Sequence, residues 1–133
     1  MSVTQERNDD GTVVTWWLDR PEARNAVNFE MWEALRDAAL EANRDPQLRV
    51  VVIRGRGQHF SAGADIASLG RSLAADHDGS TYRAVNLEAE RAIATLRVPT
   101  VAAIEGFCVG GGVQIALACD LRIATPDATF GVT

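Results

Sequence analysis

Hydrophobic positions along the chain fall into short compact runs that alternate with stripes at helical spacing. Behind Asp10-Gly11, a favoured tight-turn pair, residues 11–18 gather β-branched and aromatic side chains, which predicts the second arm of a hairpin. Pro21 breaks that ladder, so residues 20–27 are expected as loop. Asn28 suits a helix N-cap, and Met31, Leu35, Ala38 and Ala42 then recur on one face while Glu30, Glu33, Asp37 and Glu41 occupy the other. Pro46 closes that helix. Residues 50–53 form a wholly apolar run flanked by Arg, the pattern of a buried strand. A glycine-bearing polar loop over 55–63 follows, then a predicted helix over 65–73 and a polar connector over 75–80. Tyr82, Val85, Ala89, Ile93 and Leu96 mark another amphipathic helix ending before Pro99. Residues 100–104 read as a buried strand, 106–112 as a glycine turn, the stretch through Cys119 as a short apolar helix, and 121–124 as a returning strand.

Alternation of strand, helix and strand predicts an α/β fold with parallel pairing. No internal repeat or low-complexity tract interrupts it. The final Phe130-Gly131-Val132-Thr133 has no terminating helix or polar tail, and the expectation is of a chain cut in mid-fold.

Composition narrows the chemistry. In 133 residues there is room for one domain. All 13 basic residues are Arg; with no Lys, a Walker phosphate loop and Schiff-base catalysis are both excluded. The net charge of -5 argues against nucleic acid as a partner. No apolar run reaches membrane-span length and the polar N-terminus is no signal peptide, so the expected location is cytoplasmic. Cys108 and Cys119 follow no metal or redox spacing, which fits that compartment.

Two loops that follow predicted strands hold the candidate chemistry. The first contains Ser61-Ala62-Gly63-Ala64-Asp65, the second Gly110-Gly111-Gly112. Each is expected to end at a helix N-terminus, where backbone N–H groups lack intrahelical partners and favour an anion or developing oxyanion. Converging, they could each give one N–H to a single carbonyl oxygen. The glycines do not spell a dinucleotide fingerprint, because Gly110 to Gly112 are consecutive and Gly55-Arg56-Gly57 lacks its third glycine.

At these loops the chain resembles the crotonase superfamily, the enoyl-CoA hydratase/isomerase group. Four stretches carry the likeness in register: residues 18–26, 51–66, 104–120 and 123–131. The resemblance implies a crotonase-like spiral of repeated ββα units, with residues 1–133 as the N-terminal part of a single domain that stops before the C-terminal helices. It implies binding of an acyl-CoA or enoyl-CoA thioester, with coenzyme A as part of the substrate and no separate cofactor or metal. It assigns the oxyanion-hole N–H groups to Ala64 and Gly111, each able to contribute about 3 kcal/mol to a developing enolate. Pantetheine and adenine are expected near Glu22, Ala23 and Arg24 and along Ala62, Asp65 and Ile66, with Gly110 beside the thioester. A homotrimer or dimer of trimers is implied, along with apolar surface that the missing helices and the partners bury.

The chain departs from the hydratase pattern at Gln114, three residues past the oxyanion glycine, where the family has a carboxylate. An amide orients water or a substrate oxygen but exchanges no proton near neutral pH. The family's second carboxylate falls after Thr133. The expected function is an acyl-CoA enzyme of the hydratase/isomerase group; the alternative is a catalytically silent acyl-CoA-binding or assembly module. The remaining reactive side chains read as structural. His59 is expected to face solvent, Ser61 to stabilise its turn, Cys108 to pack, Asp65 to cap a helix and Asp120 to bond backbone. Glu105 is left open between a subunit contact and the pocket. Trp16, Trp17 and Trp32 are expected to fill the core between hairpin and first helix.

Overall fold

The computed structural model describes residues 2–67, 70–71, 74 and 80–132. Strands β1 (Val3–Arg7) and β2 (Val13–Leu18) form the expected hairpin, Val3 opposite Leu18 and Arg7 opposite Val14. Gly11 takes φ 74° in its turn, which spans more than the two residues expected. Asn28 caps helix α1 (Phe29–Asn43) through its side-chain oxygen, which accepts the Met31 N–H at 2.8 Å. The chain continues through β3 (Val50–Gly55), α2 (Ser80–Ala94), β4 (Thr100–Ile104), β5 (Phe107–Val109), α3 (Gly111–Ala118), β6 (Leu121–Ala124) and β7 (Thr129–Gly131).

Five strands make one sheet in the order β1-β2-β3-β4-β6, and every pairing beyond the hairpin is parallel. Strands β5 and β7 form a separate parallel pair that the apolar pattern did not reveal, since each has only three residues. The helix expected over 65–73 and the connector over 75–80 fall partly outside the described residues.

Alternation along the strands decides which side is core. Val14, Trp16 and Leu18 of β2, Val51 and Ile53 of β3, and Ala102 and Ile104 of β4 are buried. They meet Met31, Trp32 and Leu35 of α1 and Val85, Ala89 and Ile93 of α2 in one cluster. The runs 50–53 and 100–104 are thus half-buried in alternation rather than wholly buried. The same geometry corrects Trp17, which lies on the opposite face with the Arg56 guanidinium 3.9 Å and that of Arg54 4.8 Å from its ring centroid. Trp16 and Trp32 are core as expected. Leu117, Leu121, Ile123 and Phe130 remain exposed on α3, β6 and β7. Among the described residues no helix is long and apolar enough to cross a membrane.

Candidate active site

The loop that follows β2 is organised by one buried amide. Asn25 is fully buried with φ 56°, a left-handed conformation that Asn tolerates. Its Oδ1 accepts the Arg20 N–H at 2.8 Å, and its Nδ2 donates to the carbonyls of Arg56 at 2.9 Å and His59 at 2.8 Å. Every hydrogen-bonding atom of that side chain is used, as burial requires. The bonds tie the loop after β2 to the loop after β3.

From there the first candidate loop is held on both sides. On one side Ala62 N–H donates to Arg24 O (2.9 Å), Val27 N–H to Gly63 O (2.7 Å) and Asp65 N–H to Val27 O (2.9 Å). On the other, Phe60 N–H donates to Glu105 O, Ser61 N–H to Phe107 O and Val109 N–H to Ser61 O, at 2.8 to 3.0 Å. The Ser61 hydroxyl donates to Asn25 O at 2.8 Å and accepts Gly63 N–H, the turn-stabilising role expected of it. These ladders bring the two glycine loops together. A Cβ on Gly112 would stand 2.9 Å from both Ser61 Cβ and Ser61 O, so only glycine fits at that contact.

Ala64 and Gly111 consequently line the same cavity, about 320 Å³ in volume. Ala64 forms an isolated parallel bridge with Val27 in which the bonds run through Gly63 O and Asp65 N. That leaves the Ala64 N–H on the far side of the bridge, and among the described residues it has no partner. Gly111 is the first residue of α3, behind Gly110 at φ 53° and ψ −112°, and its N–H is equally uncommitted. Gly110 and Gln114 line the cavity too. So do residues the sequence did not single out for the site, among them Val27, Trp32, Tyr82 and Asn86. Tyr82 and Trp32 occupied expected core positions, and nothing in the pattern marked Asn86.

Gln114 Oε1 accepts from Asn86 Nδ2, another lining residue, at 3.5 Å. Tyr82 is the one titratable side chain among the described lining residues, and burial raises its pKa. The described lining therefore offers backbone and amide donors against an apolar wall, with no carboxylate among its residues. Such a site can polarise a carbonyl; a proton acceptor effective near pH 7 is not among these residues.

The residues expected to hold coenzyme A lie outside this cavity. Arg24 is exposed at φ 52°, and Ala23 ends the 3-10 turn Pro21–Ala23. Asp65 pairs with Arg20 at 2.9 Å, and Ile66 is exposed. His59 is half-buried rather than solvent-facing, stacked on Phe107 with its Nδ1 accepting the Phe107 N–H at 3.0 Å. Glu105 pairs with Arg54 at 3.2 Å. Asp120 bonds backbone as expected, accepting Thr100 N–H at 2.9 Å. Cys108 is buried and its thiol pushed up to about 11, consistent with packing rather than nucleophilic attack. No group of three or more potential metal-ligating side chains occurs among the described residues.

A family model described as enoyl-CoA hydratase/isomerase matches residues 8–133. A protein named probable enoyl-CoA hydratase from Mycobacterium leprae (strain TN) is 40% identical over 121 residues, 89% of this chain and 46% of that protein. The crotonyl-CoA hydratase of Syntrophomonas wolfei is 37% identical over 116 residues, 86% of this chain and 44% of that protein. The crystal structure of an enoyl-CoA hydratase/carnithine racemase from Magnetospirillum magneticum superposes with a TM-score of 0.92 at 34% identity, covering 99% of this chain and 49% of that one. An enoyl-CoA hydratase of Mycobacterium smegmatis gives 0.89 at 32% identity, over 98% of this chain and 50% of that one. The chain spans about half the length of the relatives it matches.

Proposed function

From the premise that the chain belongs to the enoyl-CoA hydratase/isomerase family and carries the crotonase fold, we propose that it supplies the thioester-polarising half of an acyl-CoA enzyme. The observation that carries this reading is the pair of uncommitted N–H groups, of Ala64 and Gly111, lining one cavity. An acyl-CoA or enoyl-CoA thioester places its carbonyl oxygen between them. Charge that grows on this oxygen, as a proton leaves Cα or water adds at Cβ, meets preorganised dipoles that need no reorientation. Each donor contributes about 3 kcal/mol to that stabilisation.

Gln114 orients water or a substrate oxygen, and a carboxylate from outside these residues moves the proton. The absence of a carboxylate from the described cavity lining suits a one-base isomerase or specialised lyase better than an efficient hydratase. Gly110 borders the thioester. Coenzyme A runs past Ala23, Arg24, Ala62, Asp65 and Ile66, with Arg24 facing a phosphate; the exposure of Arg24 and Ile66 leaves both free to receive it. Coenzyme A is part of the substrate, and no further cofactor is invoked. The exposed apolar residues of α3, β6 and β7 fit burial in a homotrimer or dimer of trimers, in the cytoplasm.

Gln114 also supports a second reading, a silent acyl-CoA-binding module, since the described lining of the cavity includes no carboxylate or histidine base. The two are separated by incubating the full-length protein with crotonyl-CoA and with a β,γ-enoyl-CoA while following the conjugated-thioester absorbance. Turnover of the second substrate alone identifies an isomerase. Binding of both without turnover identifies the module.

A further inference from the structure

Val27 lies against both turns that carry the proposed donors. Through its backbone it holds the Gly63–Asp65 strand whose middle residue is Ala64, with bonds of 2.7 and 2.9 Å. Through its side chain it abuts the other turn: a Cβ placed on Gly111 would lie 3.4 Å from Val27 Cγ2 and 3.5 Å from Trp32 Cζ2. The separation of the two donors is therefore set by whatever fixes Val27 and Trp32.

One buried chain of hydrogen bonds does so. Trp32 Nε1 donates to Tyr82 Oη at 3.2 Å, and Tyr82 Oη donates to Val27 O at 3.5 Å. Trp32 comes from α1 and Tyr82 from α2, so the chain ties both helices to the first loop. Trp32 and Tyr82 are 1% and 7% exposed, and Val27 is fully buried. A purely apolar core would be served as well by Phe at both positions. A tryptophan and a tyrosine whose polar atoms meet inside the core, against the carbonyl that braces the Ala64 strand, fix direction as well as distance.

We propose that Trp32 and Tyr82 are positioning residues for the oxyanion hole, setting the Ala64 N–H relative to the Gly111 N–H. The inference rests on the thioester reading above, and it adds that this two-residue chain fixes the hole's geometry. Neither residue needs to touch the reacting atoms. Loss of the link lets Val27 and the Ala64 strand shift by a fraction of an ångström. A displacement on that scale weakens carbonyl polarisation far more than it weakens binding of the long coenzyme A moiety.

The test uses a conjugated dienoyl-CoA bound to the full-length protein. Hydrogen bonds to its thioester oxygen polarise the conjugated system and move its ultraviolet band to longer wavelength. The band position of the bound ligand is read at saturation, so neither affinity nor the fraction of folded protein enters. The parent protein is expected to give a red shift. Tyr82→Phe and Trp32→Phe are each expected to lose most of it, with affinity for free coenzyme A unchanged and kcat lowered about tenfold at similar KM. A full red shift in both variants overturns the positioning role and leaves the thioester reading intact. No red shift in the parent overturns the thioester reading itself, and the positioning role with it.

Discussion

Asn86 and Gln114 meet in the lining of the cavity, the Nδ2 of one 3.5 Å from the Oε1 of the other, and neither carries a charge. A Glu at 114 would keep the length of the side chain and still accept from Asn86, while adding a group able to exchange protons. Gln114→Glu is therefore expected to raise the hydration rate of crotonyl-CoA by about 10²-fold in the full-length protein. Loss of the conjugated absorbance measures it, and an unchanged rate would show that this amide is not what limits hydration.

Backbone donors are tested by proline rather than by side-chain truncation. Gly111 is the first residue of α3, a position where proline is well tolerated, and Gly110 before it has no Cβ for the ring to crowd. Gly111→Pro is expected to fold, judged by an unchanged far-ultraviolet circular dichroism spectrum. It should cost about 10²–10³-fold in kcat, because only the N–H has gone. Retained turnover in the folded variant would remove Gly111 from the mechanism.

Neighbouring glycines should respond differently to alanine. A Cβ on Gly111 meets only ordinary contacts at 3.4 Å and beyond, so Gly111→Ala is expected to stay within about 1 kcal/mol of the parent. A Cβ on Gly112 would strike Ser61 at 2.9 Å, including its backbone oxygen, and prise the two loops apart. Gly112→Ala is expected to cost about 1–3 kcal/mol, seen as a lower denaturation midpoint. Equal midpoints for the two variants would contradict the close approach of the loops.

Asn25→Ala leaves the Arg20 N–H and the carbonyls of Arg56 and His59 without their partner. With these groups only partly buried, the expected loss is about 1–3 kcal/mol in urea unfolding. Thioester affinity should fall with it, since the same bonds hold the Ala64 loop.

Burial pushes the thiols of both Cys108 and Cys119 up to about 11 from 9.0. The folded state thus keeps protons that the unfolded chain releases above pH 9. Stability from this source is complete below pH 9 and is lost as pH rises towards 11. Thiol reagents at pH 8 should label neither cysteine in the native protein and both in guanidinium. Rapid native labelling would contradict the burial.

Helix and strand placement was legible because local rules and tertiary packing agree there. Asn28 caps α1 as its side chain predicts, and the stripes Met31–Leu35 and Val85–Ala89 face the core that their spacing implies. Agreement failed where a residue's role depends on which sheet face is covered. Trp17 reads like Trp16 in composition, yet a one-residue step along β2 sends it to the opposite side, against Arg54 and Arg56. Strands β5 and β7 were equally hidden, because three residues hold no periodicity and their pairing is entirely non-local.

By itself the sequence determined the α/β alternation, the two glycine turns and the amide at position 114, all of which depend on neighbours within a few residues. Whether Ala64 and Gly111 border one cavity was decided only by tertiary structure. That juxtaposition depends on bonds between segments far apart in the chain, Asn25 to His59 and Ser61 to Val109 among them. Asn86, Tyr82 and Trp32 joined the site for the same reason. Helix spacing tells which residues turn inward, but the docking of α1 and α2 on the sheet decides what they meet.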